Sequence, residues 1–125
     1  MSNLILLFIG AIAVTFWGVA HLLFTKGVVT DFGDISKENK LIITMEWIME
    51  GLLLIFIGVL VMTITLIGGA NNVVSFYVYW ISSIMLIIMA VVSIFTGARV
   101  NFTPYRLCPV IFTASAVLII IGSLI

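Results

Sequence analysis

Two ionisable residues lie inside long apolar stretches of this sequence, and they are the first candidates for chemistry. His21 lies near the end of the first apolar stretch, and Glu50 lies within the second. An imidazole and a carboxylate in contact can act as acid and base, carry a proton, or orient a polar group of a ligand. An ionised side chain costs about 2.5–3.5 kcal/mol to place in lipid, so we expect Glu50 to be neutral or paired with His21 or Arg99.

Three further residues share a helix face or a membrane level with these two. Glu46 lies four residues before Glu50 and Trp17 lies four residues before His21, so each pair would share one helical face. Arg99 follows the third apolar stretch at the same predicted level. We therefore take His21, Glu46, Glu50, Trp17 and Arg99 as the candidate site for a ligand or a proton, and no catalytic residue is assigned.

Each candidate also has a purely structural interpretation, which the sequence leaves open. His21 and Glu50 could form one buried pair that only holds two helices together. Arg99 could be an interfacial anchor, because basic residues accumulate at one membrane surface. Trp17 and Trp47 could be packing or interface residues, since indole rings combine an apolar body with one polar group.

The sequence does not predict a metal site or a cofactor. His21, Glu46 and Glu50 offer suitable ligand atoms, but no H-E-x-x-H or E-x-x-H spacing accompanies them. His21 is the only histidine, so one chain cannot supply two histidines to a haem iron. Cys108 is the only cysteine, which excludes an intramolecular disulfide, and we expect it to pack as a small apolar residue.

The composition indicates that these residues are held by a membrane protein. Of the 125 residues, 64% are hydrophobic and only 8% are charged, whereas a soluble domain has about 25% charged residues. The mean hydropathy of +1.43 agrees with this interpretation. The formal net charge is zero, and the sequence has no clustered basic face of the kind that nucleic acids require.

Four apolar stretches are long enough to cross a hydrocarbon core of about 30 Å as helices. They cover residues 4–24, 41–67, 73–95 and 108–125. Backbone groups in lipid must pair within their own segment, which favours helices. The predicted fold class is an all-α integral membrane protein, an antiparallel up-down-up-down four-helix transmembrane bundle that forms a single domain over residues 1–125. We place loops at 25–40 and 96–107 on one side of the membrane.

Two local signals bear on where the helices begin. Ser36 is expected to cap a helix that begins at Lys37, because its hydroxyl can accept a free amide of the first turn. Pro109 has two interpretations. It kinks the fourth helix if that helix begins as early as Pro104, or it is a first-turn residue if the helix begins near Cys108.

Small residues recur at helical spacing and predict where helices approach closely. Gly51 and Gly58 lie seven residues apart on the second span. Small side chains allow close backbone contact, which drives helix association in lipid. A similar stripe of small and buried-type residues marks the third span: Ser75, Tyr79, Ser82, Leu86, Ala90, Ser93 and Gly97.

The basic residues predict the orientation of the bundle. All five Lys and Arg residues belong to the two loops on one side of the membrane: Lys26, Lys37, Lys40, Arg99 and Arg106. Cytoplasmic loops are enriched in Lys and Arg. We therefore expect a multi-pass protein of the plasma (cytoplasmic) membrane, with both termini outside the cytoplasm.

Three classes of function remain open from the sequence. The first is a binding or accessory protein for a lipid-like ligand or a partner helix, with His21 and Glu50 orienting it. The second is a proton-coupled small-molecule transporter that uses Glu50, and the third is an intramembrane enzyme with acid–base chemistry at His21 and Glu50. The expected partners are the lipid bilayer, a hydrophobic small molecule and, for a transport pathway, a second copy of the chain in a homo-oligomer.

Overall fold

Four long α-helices contain most of the chain. The computed structural model describes residues 1–125. The helices are α1 (Ser2–Asp31), α2 (Lys37–Gly68), α3 (Val73–Phe95) and α4 (Thr103–Leu124), with a 3₁₀ turn at Gly97–Arg99 between the last two. All four are long and apolar enough to cross a membrane. The predicted all-α four-helix bundle is confirmed, and the chain is a multi-pass membrane protein.

The first connection is much shorter than the sequence indicated. We predicted a loop over residues 25–40, but α1 continues to Asp31 and only residues 32–36 are non-helical. A helix of 30 residues is about 45 Å long, so α1 extends beyond a hydrocarbon core of about 30 Å. The predicted cap is confirmed, because Ser36 Oγ accepts a hydrogen bond from Asn39 N at 3.2 Å.

The fourth helix begins earlier than the predicted start of the fourth span at residue 108. Its first residue is Thr103, Pro104 occupies the first turn, and Pro109 lies inside the helix. Of the two interpretations of Pro109, the early start is therefore the one observed. A proline in the first turn loses no hydrogen bond, because the amides there have no helical partner.

The helices form a ring in which α1 packs against α2 and α4, and α3 packs against α4. The contact between α2 and α3 is the least extensive of the four. The centre of the bundle is filled by fully buried apolar side chains from all four helices: Leu7, Ala11, Val14, Leu54, Val61, Tyr79, Leu86, Phe112, Ala116 and Ile119. Many other large apolar side chains are exposed on the outside of the bundle, where a membrane protein contacts lipid.

Glycines bring the backbones of α1 and α2 into close contact. A Cβ atom added at Gly18 would lie 2.6 Å from the carbonyl oxygen of Gly51. A Cβ atom added at Gly51 would lie 2.9 Å from the carbonyl oxygen of Gly18 and from Cβ of His21. The close approach predicted for Gly51 is confirmed. This crossing brings His21 of α1 close to Glu50 of α2.

The hairpin of α2 and α3 is closed at its turn and open at its other end. Near the turn, Thr65 Oγ1 and Tyr79 Oη are hydrogen-bonded at 2.8 Å, and Gly68 packs against Ser75. Ser75, Tyr79, Ser82, Leu86 and Ala90 of the predicted stripe are buried. Towards the opposite end the two helices leave a cleft between them. That end carries all five Lys and Arg residues, and we call it the basic end.

Candidate functional site

His21 is a buried residue whose ring has a defined tautomer when neutral. Its side chain on α1 is 2% exposed, and its Nδ1 lies 2.8 Å from the carbonyl oxygen of Trp17. A carbonyl oxygen only accepts hydrogen bonds, so Nδ1 must carry a proton. The neutral ring then has its lone pair on Nε2. This Nε2 is buried and has no hydrogen-bond partner.

Glu50 faces that nitrogen from α2. Its Oε1 lies 3.8 Å from His21 Nε2, slightly beyond hydrogen-bond length. The Glu50 side chain is 34% exposed, so the carboxylate has one side towards the buried imidazole and another towards open space. The predicted approach of His21 to Glu50 is present. Their matched depth on adjacent antiparallel helices was the signal that indicated it.

Trp47 contacts both the imidazole ring and the backbone of His21. Its ring stacks on His21 with 4.3 Å between centroids and 24° between planes. Its Nε1 donates a hydrogen bond to the carbonyl oxygen of His21 at 2.8 Å. Trp17 adds an edge contact to His21 at 5.8 Å. We had given Trp47 a packing or interface role, although its position three residues before Glu50 placed it on the same face of α2.

Cys108 is the third reactive side chain at this point. It is 3% exposed, and its Sγ lies with His21 and Glu50 in a cluster whose ligand atoms are all within 4.8 Å of one another. Cys108 is buried, as expected for a small packing residue, but its place beside His21 and Glu50 is not predicted from the sequence. Its position at the basic end of the fourth span, level with the other two residues, could have indicated the cluster.

A cleft between α2 and α3 reaches this cluster. Its volume is about 730 Å³, and ten of its 15 lining residues are hydrophobic. Glu50 and Cys108 belong to its wall, as does Trp47. The remaining lining residues come from both helices and from the segment before α4: Ile42, Ile43, Glu46, Met49, Leu53, Ile88, Met89, Val92, Ser93, Thr96, Gly97 and Tyr105.

Two predicted site residues stand apart from the His21–Glu50 contact. Glu46 lines the cleft but is exposed and forms no ion pair. Arg99 is exposed in the 3₁₀ turn, with its guanidinium 5.6 Å from the centre of the Phe95 ring. The alternative pairing of Glu50 with Arg99 is therefore not observed. A spacing of four residues puts Glu46 about 6 Å along the helix from Glu50, outside the reach of His21.

The arrangement combines a buried nitrogen lone pair, a half-buried carboxylate and a thiol at the wall of an apolar cleft. Such a group can share a proton, orient the polar head of an apolar molecule, or supply nitrogen, oxygen and sulfur ligands to a metal ion. Comparisons with protein-family models, with curated proteins and with solved structures found no match to this chain.

Proposed function

We propose that the protein binds an amphipathic, lipid-like molecule inside the membrane, with the apolar part in the α2–α3 cleft and the head group at Glu50. The observation that carries this proposal is the cleft of about 730 Å³, whose walls are mostly apolar and include two carboxylates, Glu46 and Glu50. Sites for small molecules usually measure about 300–1,000 Å³ and combine apolar walls with a few polar groups.

The position of the cleft supports entry of the ligand from the bilayer. Its edges include Ile42, Met49, Ile88 and Val92, which are between 52% and 57% exposed. These side chains face outward on α2 and α3, two helices that are long and apolar enough to cross a membrane. A molecule already dissolved in lipid would therefore enter sideways without crossing water.

The charges around the cleft favour a head group that donates hydrogen bonds. Glu50 presents acceptor oxygens, and Glu46 adds a second carboxylate nearer the exposed edge. No Lys or Arg side chain lines the cleft. An ammonium or hydroxyl head group would complement this wall, whereas a carboxylate or phosphate head group would be repelled.

Photolabelling with a long-chain alkyl amine that carries a diazirine tests the binding site directly. We expect saturable labelling of cleft residues in the protein reconstituted in lipid nanodiscs, with competition by unlabelled alkyl amine and not by the alkyl carboxylate. Val92→Phe fills the cleft and should lower competable labelling about tenfold. Val91→Phe is the matched control, because Val91 is 47% exposed but does not line the cleft.

Separate substitution of Glu50 and Glu46 distinguishes recognition of the head group by Glu50 from a nonspecific effect of negative charge in the cleft. Glu50→Gln should weaken amine binding by about tenfold or more, since hydrogen bonds to charged groups contribute about 1.5–3 kcal/mol. Glu46→Gln makes the same change from carboxylate to amide at a more exposed position and should change binding much less. Labelling spread evenly over lipid-facing residues, or equal effects of Val91→Phe and Val92→Phe, would contradict the proposal.

Proton-coupled transport is the second candidate, and the His21–Glu50 contact favours it. A small rotation of Glu50 would bring its carboxyl, now 3.8 Å from the imidazole, close enough to exchange one proton with it and to release that proton when a ligand arrives. The hairpin is closed at its turn by the Thr65–Tyr79 hydrogen bond, so a pathway across the bilayer would require a second copy. Amine-dependent proton movement into liposomes, absent in Glu50→Gln, would favour transport over simple binding. Acid–base catalysis at the same pair would instead require formation of a product.

A further inference from the structure

We propose that His21, Glu50 and Cys108 form a binding site for one Zn²⁺ ion at the inner wall of the α2–α3 cleft. The three residues come from α1, α2 and α4, so the ion would join three helices of the bundle. Imidazole nitrogen, carboxylate oxygen and thiolate sulfur are the three ligand types that zinc uses in proteins. Among the residues that the sequence offers as ligands, Glu46 is replaced by Cys108, because the helix packing brings the thiol to the site.

The unpartnered Nε2 atom of His21 is the observation that most strongly indicates a ligand at this site. Its Nε2 is buried without any hydrogen-bond partner, and it points towards Glu50. The Nδ1–H group donates to the carbonyl oxygen of Trp17, which leaves the lone pair on Nε2. Metal-binding histidines typically donate their second ring N–H to a carbonyl or carboxylate in this way, because that bond fixes the tautomer and the ring orientation.

The distances are close to those of a coordinated ion. Bonds of about 2.0–2.3 Å to tetrahedral zinc place ligand atoms about 3.3–3.8 Å apart. His21 Nε2 and Glu50 Oε1 are already 3.8 Å apart, and all three ligand atoms lie within 4.8 Å of one another. Side-chain rotation of Glu50, which is partly exposed, together with a small shift at Cys108, would complete the set.

The charges of such a site would balance within the apolar interior. With a protonated Cys108 thiol and one proton on either Glu50 or His21 Nε2, the three residues would be neutral together before binding. Binding of Zn²⁺ releases both protons and leaves one thiolate, one carboxylate and a neutral imidazole around a doubly charged ion. The net charge stays at zero, which avoids the cost of an unbalanced charge at this depth.

The fourth coordination position would face the cleft. Glu50 and Cys108 both line its wall, whereas His21 lies behind them. Zinc sites with three protein ligands keep one position for water or a ligand atom. Water or a hydroxyl head group would occupy that position, whereas an ammonium head group has no lone pair for the metal and would bind Glu50 only in the metal-free protein. Zinc binding itself does not depend on such a ligand.

Titration of the metal-stripped protein with Co²⁺ alone tests the site. The experiment uses protein in nanodiscs, freed of any polyhistidine tag. We expect one Co²⁺ per chain, a thiolate-to-cobalt charge-transfer band, d–d bands of tetrahedral coordination, and displacement of Co²⁺ by one equivalent of Zn²⁺. Because Cys108 is the only cysteine, a thiolate band can arise only from this site.

Variants assign the ligands. Cys108→Ser should remove the charge-transfer band, and Glu50→Gln should weaken Co²⁺ binding by at least about 100-fold, since even outer-shell changes at metal sites cost about 10–100-fold. Glu46→Gln, outside the ligand set, should keep wild-type affinity. Folding of each variant is checked by helical circular dichroism.

Absence of the charge-transfer band in folded wild-type protein, or equal Co²⁺ affinity in Glu50→Gln and Glu46→Gln, would overturn the proposal. Loss of amine labelling with intact Co²⁺ binding would overturn only the amphiphile proposal.

Discussion

His21 is constrained on three sides by contacts that do not involve its Nε2 atom. The Trp17 carbonyl oxygen accepts from Nδ1, the Trp47 ring covers one face, and the Trp47 indole N–H bonds to the His21 carbonyl oxygen. Thr25 Oγ1 donates to that same carbonyl at 2.8 Å. The imidazole is therefore held by α1 and α2 together, and only Nε2 is left to interact with Glu50, Cys108 or a ligand.

Trp47→Phe should measure the contribution of the indole hydrogen bond to stability. The variant keeps an aromatic ring against His21 but removes the donor to its carbonyl oxygen. We expect a loss of about 0.6–1.7 kcal/mol in the free energy of unfolding, the range found for interhelical hydrogen bonds in membrane bundles. Unfolding by SDS, followed by circular dichroism, provides the measurement.

Trp80→Phe is the matched control for this prediction. Trp80 on α3 has a buried Nε1 without a hydrogen-bond partner, so its replacement changes ring size but removes no hydrogen bond. The difference between the two variants isolates the bond to His21. Equal losses in Trp47→Phe and Trp80→Phe would mean that ring volume, and not the hydrogen bond, determines the effect.

The sequence predicted one contact of this site and missed two of its members. Ionisable residues in apolar stretches stand out, so His21 and Glu50 were evident, and their depth indicated that they meet. Cys108 and Trp47 are common in apolar packing, so residue type alone did not distinguish them. Glu46 and Arg99 are charged but lie near the ends of apolar stretches, where hydropathy does not show whether a side chain turns towards the interior.

At the level of the helices, the crossing of α1 and α2 depends on two glycines. Carbonyl oxygens of Gly18 and Gly51 occupy the space that a Cβ atom of the partner glycine would need. His21 and Glu50 flank this crossing by three residues and one residue along their helices. The distance between the imidazole and the carboxylate is therefore set by the backbone separation at the crossing.

Gly51→Ala should destabilise the bundle and separate the two site residues. The added methyl group would meet the Gly18 backbone and His21 Cβ, each 2.9 Å away. Overpacking of this kind costs about 1–3 kcal/mol. We expect a lower unfolding free energy in SDS and, for protein that remains folded, weaker Co²⁺ binding.

Gly27→Ala supplies the control on the same hairpin. No atom lies within 4 Å of a Cβ added at Gly27, and the residue is helical and exposed. The substitution should be neutral or stabilising by up to about 1 kcal/mol, because alanine reduces the freedom of the unfolded chain. A Gly51→Ala variant as stable as Gly27→Ala would show that α1 and α2 tolerate a wider separation.

Hydropathy predicted how many helices there are but not where they end. The four apolar stretches correspond to α1–α4, because lipid contact requires apolar side chains all along a span. The polar residues after Phe24 continue the first helix to Asp31, since helical hydrogen bonding does not stop at the membrane surface. The start of α4 at Thr103 was ambiguous, because Pro104 and Pro109 are both compatible with a first turn.

On the scale of the whole molecule, the two termini and the candidate site lie at opposite ends. The end of α4 packs against the start of α1, where Gly122 contacts Asn3 and Leu7. The cleft opens at the basic end. The orientation predicted from the five basic residues would therefore place the site in the cytoplasmic half and both termini outside.

Fusions to the C-terminus test this orientation. We expect alkaline phosphatase fused after Ile125 to be active and green fluorescent protein at the same position to be dark, because the enzyme needs the oxidising exterior and the fluorophore forms in the cytoplasm. The motivation is that all five Lys and Arg residues lie at one end of the bundle. A fluorescent C-terminal fusion with an inactive phosphatase fusion would show the inverted topology.

The closed turn and open end of the α2–α3 hairpin would make the separation of the two helices depend on the surrounding lipid. The Thr65–Tyr79 hydrogen bond joins the two helices near the turn. With the helices across a bilayer, the cleft at the other end would border the acyl chains of one leaflet. Lateral pressure in that leaflet therefore acts on the separation of the two arms. Tightly packed lipids would press the two helices together, and loosely packed lipids would let them separate. Occupancy of the cleft would then report the packing of the leaflet as well as the concentration of the ligand.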